Sequence, residues 1–439
     1  MLGRRALMAS AAALAGGCGP FGSSMTVPSR PQATALTWHT LGLPDLLDLG
    51  GSLEGHKQRI QEIVVALEED GENPNGPARG SYTLTARIPE YPEEFSESTS
   101  FSFDELAEWL GGLEADLFSV DSWTARILGE RGVILPLDRF IANDEPKFSQ
   151  EFYPYALDQF REDGKLYALP INVDPQLLHY DAAYFAEQGV RPVDESWDWD
   201  DLVESAERLT RRGEDGTVTR WGLMPQLNGL WWALWQNEAE LADPITGRCR
   251  LQDATAGEAL QFCRDLLHEH RVAPPVGGND VWSVFSAPDI LSTPRDSLPA
   301  MIFSRHNVSP RPAYRWAALP RGRVRSVPVA AGMGLAIAAQ TEHTEKAYTA
   351  LKGLLQTLQR FVAVPAQKEA VARLGEIHPS LLPEEVTAVQ RSLEHGRAIP
   401  EDLQAWAAMH DIVDGLARGD EVSAVVTSAC TTLERAVLR

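Results

Sequence analysis

The residues of this chain that could do chemistry are aromatic rings, carboxylates and amides, and their spacing does not follow a catalytic pattern. The sequence has 12 tryptophans among 439 residues. It contains no phosphate-binding loop, no G-x-S-x-G and no H-E-x-x-H. His268-Glu269-His270 suggests a metal pair, but positions i and i+2 of a helix face different directions. The sequence therefore favours noncovalent binding over catalysis, and we expect neither a metal nor a cofactor.

Three of these residues lie at or just beyond the ends of predicted strands. Trp38 ends an apolar stretch near the start of the folded part, and Asp121 with Trp123 follows the apolar run 115–120. Side chains at the carboxyl ends of parallel strands gather around a crevice. We therefore expect Trp38, Asp121 and Trp123 at a binding site. The alternatives are core packing for the tryptophans and helix capping for Asp121.

The elements that must position these residues alternate between strands and helices. A length of 439 residues exceeds the roughly 250–300 residues at which one core stops growing, so two lobes are expected. Apolar spacing predicts two β/α series, which favours an α/β fold with largely parallel sheets covered by helices. The predicted strands are 36–39, 82–88, 115–120, 176–180, 221–224, 300–303, 316–319 and 334–338. The predicted helices are 57–67, 103–110, 199–210, 255–271 and 345–358, followed by a helical remainder from 361.

The first eighteen residues have the pattern of an export signal. Arg4 and Arg5 precede an uncharged, Ala-rich run that is too short to span a bilayer and ends at Cys18. The stretch 14–18 resembles a bacterial lipobox, and the arginine pair resembles a twin-arginine signal. We therefore predict an export signal over 1–18 with lipidation at Cys18, a tether over 19–35 and a periplasmic or cell-envelope location. Ordinary cleavage without a lipid is the alternative.

The net charge limits the kinds of binding partner, and the cysteine count limits the number of disulfides. The formal charge is 39 − 62 = −23, which repels nucleic acid and anionic headgroups. We expect contact with the membrane only through the lipid anchor. Three cysteines remain besides Cys18, so at most one disulfide can form among them. Cys249 and Cys263 are the nearest pair in sequence, and buried free thiols are the alternative.

An ordered set of motifs resembles the bacterial extracellular solute-binding proteins of the maltose-binding type. The most specific run is DGKLYALPINVD at 163–174, continued by His179-Tyr180-Asp181. WDWDDL at 197–202, ADLFSVDSW at 115–123 and GMGLAI at 332–337 follow the same pattern. Asp181 stands where that family usually has Asn, and Asn237-Glu238-Ala239 stands where a Gly pair is common. The tail after Gly375 matches none of the family's motifs.

The resemblance implies a two-lobed periplasmic-binding-protein type II fold. Each lobe would hold a mixed, mainly parallel sheet flanked by helices, and crossing strands would join the lobes. The implied crossings lie near 169–174, 303–306 and 356–362. Lobe 1 would comprise 36–170 plus 305–357, and lobe 2 would comprise 171–304 plus 358–439. The ligand would lie between the lobes, which would close on it.

The same resemblance, with the chemistry of sugars, suggests further ligand-binding residues. A sugar has apolar C–H faces and hydroxyl edges, which suit aromatic rings together with carboxylates and amides. The family segment that stacks on ligand matches the cluster with Trp231 and Trp232, although the helical spacing leaves at least one tryptophan of this cluster in the core. Asn172 and Asp174 lie on the implied crossing strand, where hinge hydrogen bonding is the alternative. Arg305 follows the strand 300–303, where surface exposure is the alternative.

The function implied is capture of a carbohydrate or related polyol and its delivery to the permease of an ABC importer. The protein would act as a monomer without catalysis. Two alternatives belong to other classes. One is a receptor that reports its ligand to a membrane sensor, and the other is a secreted glycosidase, because carboxylate pairs need only be near in space.

Overall fold

The computed structural model describes residues 34–40, 53–72, 82–87, 103–144, 148–225, 229–243, 245–277, 298–305 and 314–437. The strands are β1 (Thr34–His39), β2 (Tyr82–Arg87), β3 (Leu117–Asp121), β4 (Arg161–Glu162), β5 (Lys165–Leu166), β6 (Leu169–Pro170), β7 (Val173–Asp181), β8 (Arg211–Arg212), β9 (Val218–Arg220), β10 (Leu223–Met224), β11 (Met301–Arg305), β12 (Tyr314–Ala317), β13 (Val327–Ala331), β14 (Met333–Ile337) and β15 (Gly396–Ala398).

Helices alternate with these strands, and a short 3-10 turn lies at Phe148–Glu151. They are α1 (Leu53–Glu72), α2 (Phe103–Gly111), α3 (Ser122–Glu130), α4 (Asp138–Asn143), α5 (Pro154–Asp158), α6 (Ala182–Gln188), α7 (Trp199–Leu209), α8 (Trp231–Gln236), α9 (Ala254–His268), α10 (Thr344–Leu358), α11 (Lys368–Ala372), α12 (Leu374–Ile377), α13 (Pro383–Glu394), α14 (Leu403–Arg418) and α15 (Val422–Val437).

Local sequence explains where these helices begin and end. At the start of α7 the Asp198 carboxylate accepts from the N–H groups of Asp200 and Asp201, and Asp201 accepts in return from the Asp198 N–H. This capping box satisfies donors that have no partner inside the helix. Gly189 ends α6 in the left-handed conformation, with φ at 64°. The capping residues and the glycine can both be recognised in the sequence. The predicted helix at 199–210 agrees with α7.

The first sheet has the order β2-β1-β3-β14-β6. β1 runs parallel to β2 and β3, and β14 runs antiparallel to β3 and β6. β3 is buried along Leu117–Val120, as expected for a strand with helices on both faces. This sheet is the centre of the first lobe.

The second sheet has the order β10-β11-β7-β13-β15, with β12 also paired to β7. The long strand β7 is buried throughout its nine residues and runs antiparallel to β11, β12 and β13. The pairs β10–β11 and β13–β15 are parallel. The second sheet is therefore mixed, and the two-lobed α/β architecture is the one predicted.

The chain passes between the sheets at adjoining places. It leaves the first sheet at Pro170 and enters the second at Val173. It returns from β13 to β14 through Gly332, where an added Cβ would overlap the side-chain amide of Asn172. A third segment lies alongside, because Val173 donates to the carbonyl of Val364 at 3.1 Å. Together these segments form the hinge between the lobes.

The second crossing differs from the prediction. The sequence suggested a return near 303–306 and assigned 305–357 to the first lobe, but β12 and β13 both pair with β7 in the second sheet. The missed element is β13, which contains Pro328. A proline inside a run argues against a strand because it cannot donate to a ladder. The return to the first lobe was therefore placed too early in the sequence.

The tail after Gly375 packs mainly on the second lobe. α14 and α15 form a helical hairpin whose buried side chains, including Met409 and Ile412, join the core around Trp232 and Phe303. α13 instead packs on β7 and β12. The tail therefore completes the second lobe.

A disulfide fastens this hairpin, and it is not the expected one. Cys249, in the loop before α9, is bonded to Cys430 of α15, with the Cα atoms 5.3 Å apart. The pairing of Cys249 with Cys263, the nearest in sequence, is therefore wrong. Cys263 lies on the buried face of α9 as a free thiol, and burial raises its pKa. The tail brings Cys430 to Cys249, and its placement was not predicted.

Asp181, the departure from the family pattern, has a partner in the interior. Its carboxylate lies 2.9 Å from the guanidinium of Arg220, and both side chains are at most 1% exposed. Arg220 also lies over the ring of Tyr184, and Asp181 accepts from the Tyr184 N–H at the start of α6. A buried charge needs a partner of opposite sign, so the aspartate and the arginine occur together.

The predicted export signal and Cys18 lie outside the described residues, and so does most of the tether. Within the described ranges, no helix is long and apolar enough to cross a membrane.

Candidate ligand-binding cleft

Strand ends of the two sheets lie near each other where the chain crosses between them. On the first sheet, Met333 begins β14 next to Pro170 and pairs with Asp121 at the end of β3. On the second sheet, β7 begins at Val173 and β13 ends beside it at Ala331. The carboxyl ends of β3 and β13 therefore point toward the same space, where ligands of open α/β sheets bind.

Asp121 and Trp123 lie on the first-lobe side of this space. The Asp121 carboxylate accepts from the N–H and the hydroxyl of Thr124, both at 2.7 Å, and so caps α3. Asp121 is nevertheless exposed, and Trp123 is partly buried. Both residues lie at the end of β3 or just after it, and Asp121 has the capping contact that was its alternative. Their contact with a ligand stays a prediction.

Trp38 is placed elsewhere. It is fully buried in the core of the first lobe, where its indole N–H donates to the Ser119 hydroxyl at 2.8 Å. Its neighbour across the ladder is Leu117, four residues before the cleft end of β3. The structure therefore separates Trp38 from the other predicted site residues and places it in a packing role.

Asn172 and Asp174 lie on the hinge. The Asn172 side chain accepts from the Met333 N–H at 2.7 Å, which links the two crossing segments. Asp174 is 4% exposed and its backbone pairs with Ala330 of β13. Asn172 therefore has the hinge bond that was the alternative to ligand contact, whereas Asp174 lies at the start of the second sheet.

The short helix α8 contributes the tryptophan cluster of the second lobe. Its last residue, Gln236, donates to the Ser326 carbonyl before β13, so α8 runs opposite to β13 with its first turn at the hinge end. Trp232 packs edge-on against Phe303 at 5.0 Å between ring centres and donates to the Pro225 carbonyl. Trp232 is thus a core residue.

Trp231 faces a different set of neighbours. Its ring centre is 5.5 Å from Trp235 and 6.2 Å from Trp406, and the ring is 1% exposed. Its indole N–H has no hydrogen-bond partner among the described residues. A buried donor without a partner costs about 1–3 kcal/mol. Trp231 is therefore the tryptophan of α8 that an acceptor on a ligand could stabilise.

Trp406 is a site candidate that the sequence reasoning missed. It lies in the first turns of α14, which Asp402 caps by accepting from the Ala405 N–H at 2.7 Å. Trp406 is partly buried and contacts the Trp231 ring edge-on. An aspartate cap after Pro400, followed by a tryptophan one turn later, was visible in the sequence. It was overlooked because the tail had no motif match.

Arg305 is the last residue of β11, and its backbone pairs with Gln176 of β7. Its side chain is outside the described part of the structure, as are His306 and Asn307. The contribution of Arg305 to the cleft therefore remains a prediction.

The two histidines of His268-Glu269-His270, which the sequence argued against as a metal pair, contact different neighbours. His268 lies 2.7 Å from the Leu416 carbonyl, and His270 lies 2.8 Å from the Glu207 carboxylate. Within the described ranges, no group of three or more His, Cys, Asp or Glu residues could hold a metal ion.

The family is shown by a sequence comparison over more than half of the chain. Residues 110–357 match the family described as bacterial extracellular solute-binding protein. The chain belongs to this family. A lactose-binding protein from Rhizobium radiobacter is 24% identical over 195 residues, which span 42% of this chain and 43% of that protein.

Solved structures of solute-binding proteins share the fold. An ABC substrate-binding protein from Listeria monocytogenes in complex with cycloalternan has a TM-score of 0.65 at 16% identity, covering 92% of this chain and 99% of that one. The sugar-binding protein MalE from Xanthomonas citri has a TM-score of 0.64 at 18% identity, covering 92% and 98%. UgpB from Mycobacterium tuberculosis, in complex with glycerophosphocholine, has a TM-score of 0.63 at 15% identity, covering 92% and 98%.

Proposed function

We propose that this protein captures a carbohydrate or related polyol between its lobes and delivers it to an ABC importer, without chemical change. The observation that carries the proposal is the pair Trp231 and Trp406 on the second lobe. Trp406 offers a partly exposed ring, and Trp231 behind it has an N–H that no described residue accepts. A ring on which a C–H face can stack, beside a donor for a hydroxyl oxygen, suits a sugar.

Each lobe would supply a polar partner for the same ligand. Asp121 is exposed at the end of β3, and Asp174 lies across the hinge at the start of β7. Carboxylates accept hydrogen bonds from hydroxyl groups in a fixed plane. The relatives support this chemistry, since those described above include a lactose-binding protein and a structure with bound cycloalternan.

Export and anchoring form part of the proposal. The arginine pair at 4–5 supports export by the twin-arginine route, and the lipobox-like run ending at Cys18 supports a lipid on that residue. The protein would then act as a monomer tethered beside its permease. Mass spectrometry of the membrane-extracted protein tests this, because Cys18→Ala should remove both the lipid mass and membrane retention.

A thermal-shift screen of the mature protein tests ligand capture. The panel contains lactose, maltose and mannitol, with glycerophosphocholine as a phosphate-bearing polyol. A ligand at about 100 times its Kd stabilises the folded state by about 2.7 kcal/mol, which is a readily measured shift in Tm. We expect a sugar or polyol of the panel to raise Tm and Trp406→Ala to abolish the shift.

A matched variant separates ligand contact from general damage. Trp109→Ala removes a partly buried tryptophan of α2 in the first lobe, away from the cleft edges. It should leave the ligand-induced shift intact. A ligand-induced rise in Tm that survives both Trp406→Ala and Asp174→Asn would refute the site. Release of a cleaved product during incubation would refute the proposal that the protein does not catalyse a reaction on its ligand.

A further inference from the structure

Contacts outside the hinge join the two lobes, and two of them end on Glu401. This residue lies in the loop between β15 and α14, on the second lobe. The Ser122 hydroxyl, at the start of α3 on the first lobe, donates to the Glu401 carboxylate. One terminal nitrogen of Arg126 donates to the Glu401 backbone carbonyl at 2.9 Å.

The first-lobe half of this contact is held in place by its surroundings. Ser122 and Arg126 are four residues apart on α3 and therefore share one face of the helix. Ser122 is 3% exposed. The Arg126 guanidinium is also paired with Glu162 of β4, with both side chains less than a third exposed. Arg126 therefore presents a fixed donor to the other lobe.

The second-lobe half is connected to the aromatic pair. Glu401 directly precedes Asp402, the residue that caps α14, and Trp406 follows one turn later. The loop before it begins at Ile399, which donates to the Val329 carbonyl of β13 at 2.9 Å. A movement of Glu401 would therefore be transmitted to the start of α14 and to the ring of Trp406.

Other contacts between the lobes are of a different kind. The Tyr155 hydroxyl donates to the Leu393 carbonyl, and the Gln159 side chain donates to the Val329 carbonyl, both at 2.9 Å. Burial raises the pKa of Tyr155, so its hydroxyl remains a donor. Both of these contacts pack elements beside the hinge and do not include α14. Glu401 differs from them because it links α3 to the loop that leads into α14.

We propose that Glu401, Ser122 and Arg126 form an interlobe latch that stabilises the closed arrangement of the lobes and positions Trp406. The latch acts before any ligand arrives. A closed form that is already populated lowers the free-energy cost of closure on ligand, and so it sets the apparent affinity and the release rate. The inference goes beyond the proposed function, since it concerns the closure equilibrium and not the identity of the ligand.

Small-angle X-ray scattering of the ligand-free mature protein tests the latch. Glu401→Ala removes the acceptor of the Ser122 hydroxyl and should lower the ratio of closed to open molecules about tenfold, the change expected from one charge-assisted hydrogen bond. The radius of gyration should rise accordingly. Glu401→Gln keeps an oxygen that can accept from Ser122, so it should restore most of the closed form.

Two further variants make the result decisive. Ser122→Ala removes only a hydroxyl and should open the lobes as Glu401→Ala does, even if the latter were poorly folded. Glu204→Ala replaces an exposed glutamate of α7 in the same lobe and should change nothing. An unchanged radius of gyration in Ser122→Ala and Glu401→Ala overturns the latch, and so does equal opening in Glu401→Ala and Glu401→Gln. Because no ligand is present, failure of the sugar screen leaves this test intact.

Discussion

The first lobe is stabilised mainly by apolar packing around its sheet, whereas the second lobe adds a buried ion pair and a disulfide. The first lobe's core includes Trp38, Phe118 and Leu335, and its ion pairs, such as Lys352 with Asp144, are partly exposed. In the second lobe, Asp181 and Arg220 are fully buried together.

The disulfide of the second lobe joins segments that lie 181 residues apart in the sequence. Cys430 is on α15, which packs against α14, the helix that carries Trp406. The second lobe, which carries Trp231 and Trp406, is therefore also the lobe with the disulfide and the buried ion pair. We infer that these constraints hold the aromatic rings in place.

Removing an ion pair should cost much more free energy of unfolding in the second lobe than in the first, and this is the largest difference we expect. Asp181→Asn keeps an oxygen for the Tyr184 N–H but removes the buried negative charge 2.9 Å from the Arg220 guanidinium. We therefore expect a loss of about 3–5 kcal/mol in the free energy of unfolding. Asp144→Asn, in the partly exposed pair of the first lobe, should cost about 1 kcal/mol or less. Urea unfolding measures both, and equal losses would contradict the comparison.

The disulfide should give the next largest effect. Cys430→Ser removes the link between the loop before α9 and α15, and we expect it to cost about 2–4 kcal/mol. A reductant should lower the Tm of the wild type toward that of the variant and leave the variant unchanged. Cys263→Ala removes the buried free thiol as a control and should keep the full response to reductant.

The order of elements was largely predictable from the sequence, because apolar periodicity and capping residues are local. The helix at 199–210 is one case, where Asp198 and Asp201 form the capping box that begins α7. The strand β13 was missed, since Pro328 lies within it and only its pairing with β7 and β15 makes it a strand. Whether such a segment forms a strand depends on tertiary contacts, which no short window contains.

The candidate site was less predictable than the fold. Asp121 and Trp123 were predicted as site residues because Asp121 ends β3 and Trp123 lies just after it, and a position at the end of a strand is a local signal. Trp38 also ends a strand, but alternation along β1 directs its side chain into the core. Trp406 contacts Trp231, and Glu401 contacts Ser122, only because the tail packs on the second lobe. This is a long-range arrangement without a local signature.

The hinge lies between the two lobes, and its stability should depend on close approach of the crossing segments. Gly332→Ala places a Cβ against the Asn172 amide and should break its bond to the Met333 N–H, at a cost of about 1–3 kcal/mol. Gly257→Ala on α9 is the matched control, because nothing lies within 4 Å of its added Cβ. In a helix this change should stabilise by about 0.5–1 kcal/mol. Similar effects of the two changes would show that Gly332 is not required for close approach.

The smallest expected effect belongs to His39 in the first lobe and depends on pH. His39 is 5% exposed, and its Nε2 lies 3.2 Å from the Glu114 carbonyl oxygen, which it can contact only as a donor. Burial lowers the pKa of His39 below its ordinary value of 6.5, and the charge of Arg87 lowers it further, against the opposing effect of the bond to Glu114. The neutral ring with its proton on Nε2 is therefore the folded form.

The sign of the pH effect follows from this shift. Below the unfolded pKa of 6.5 the unfolded chain binds a proton that the folded chain does not. The contribution of His39 is therefore complete above pH 6.5 and is lost as the pH falls toward the folded pKa. Urea unfolding at pH 7.5 and pH 5 should show a smaller acid-induced loss in His39→Gln than in the wild type. An equal acid-induced loss of stability in both proteins would show that the pH dependence does not come from His39 in the first lobe. It would also weaken the contrast between an apolar first lobe and a charged second lobe.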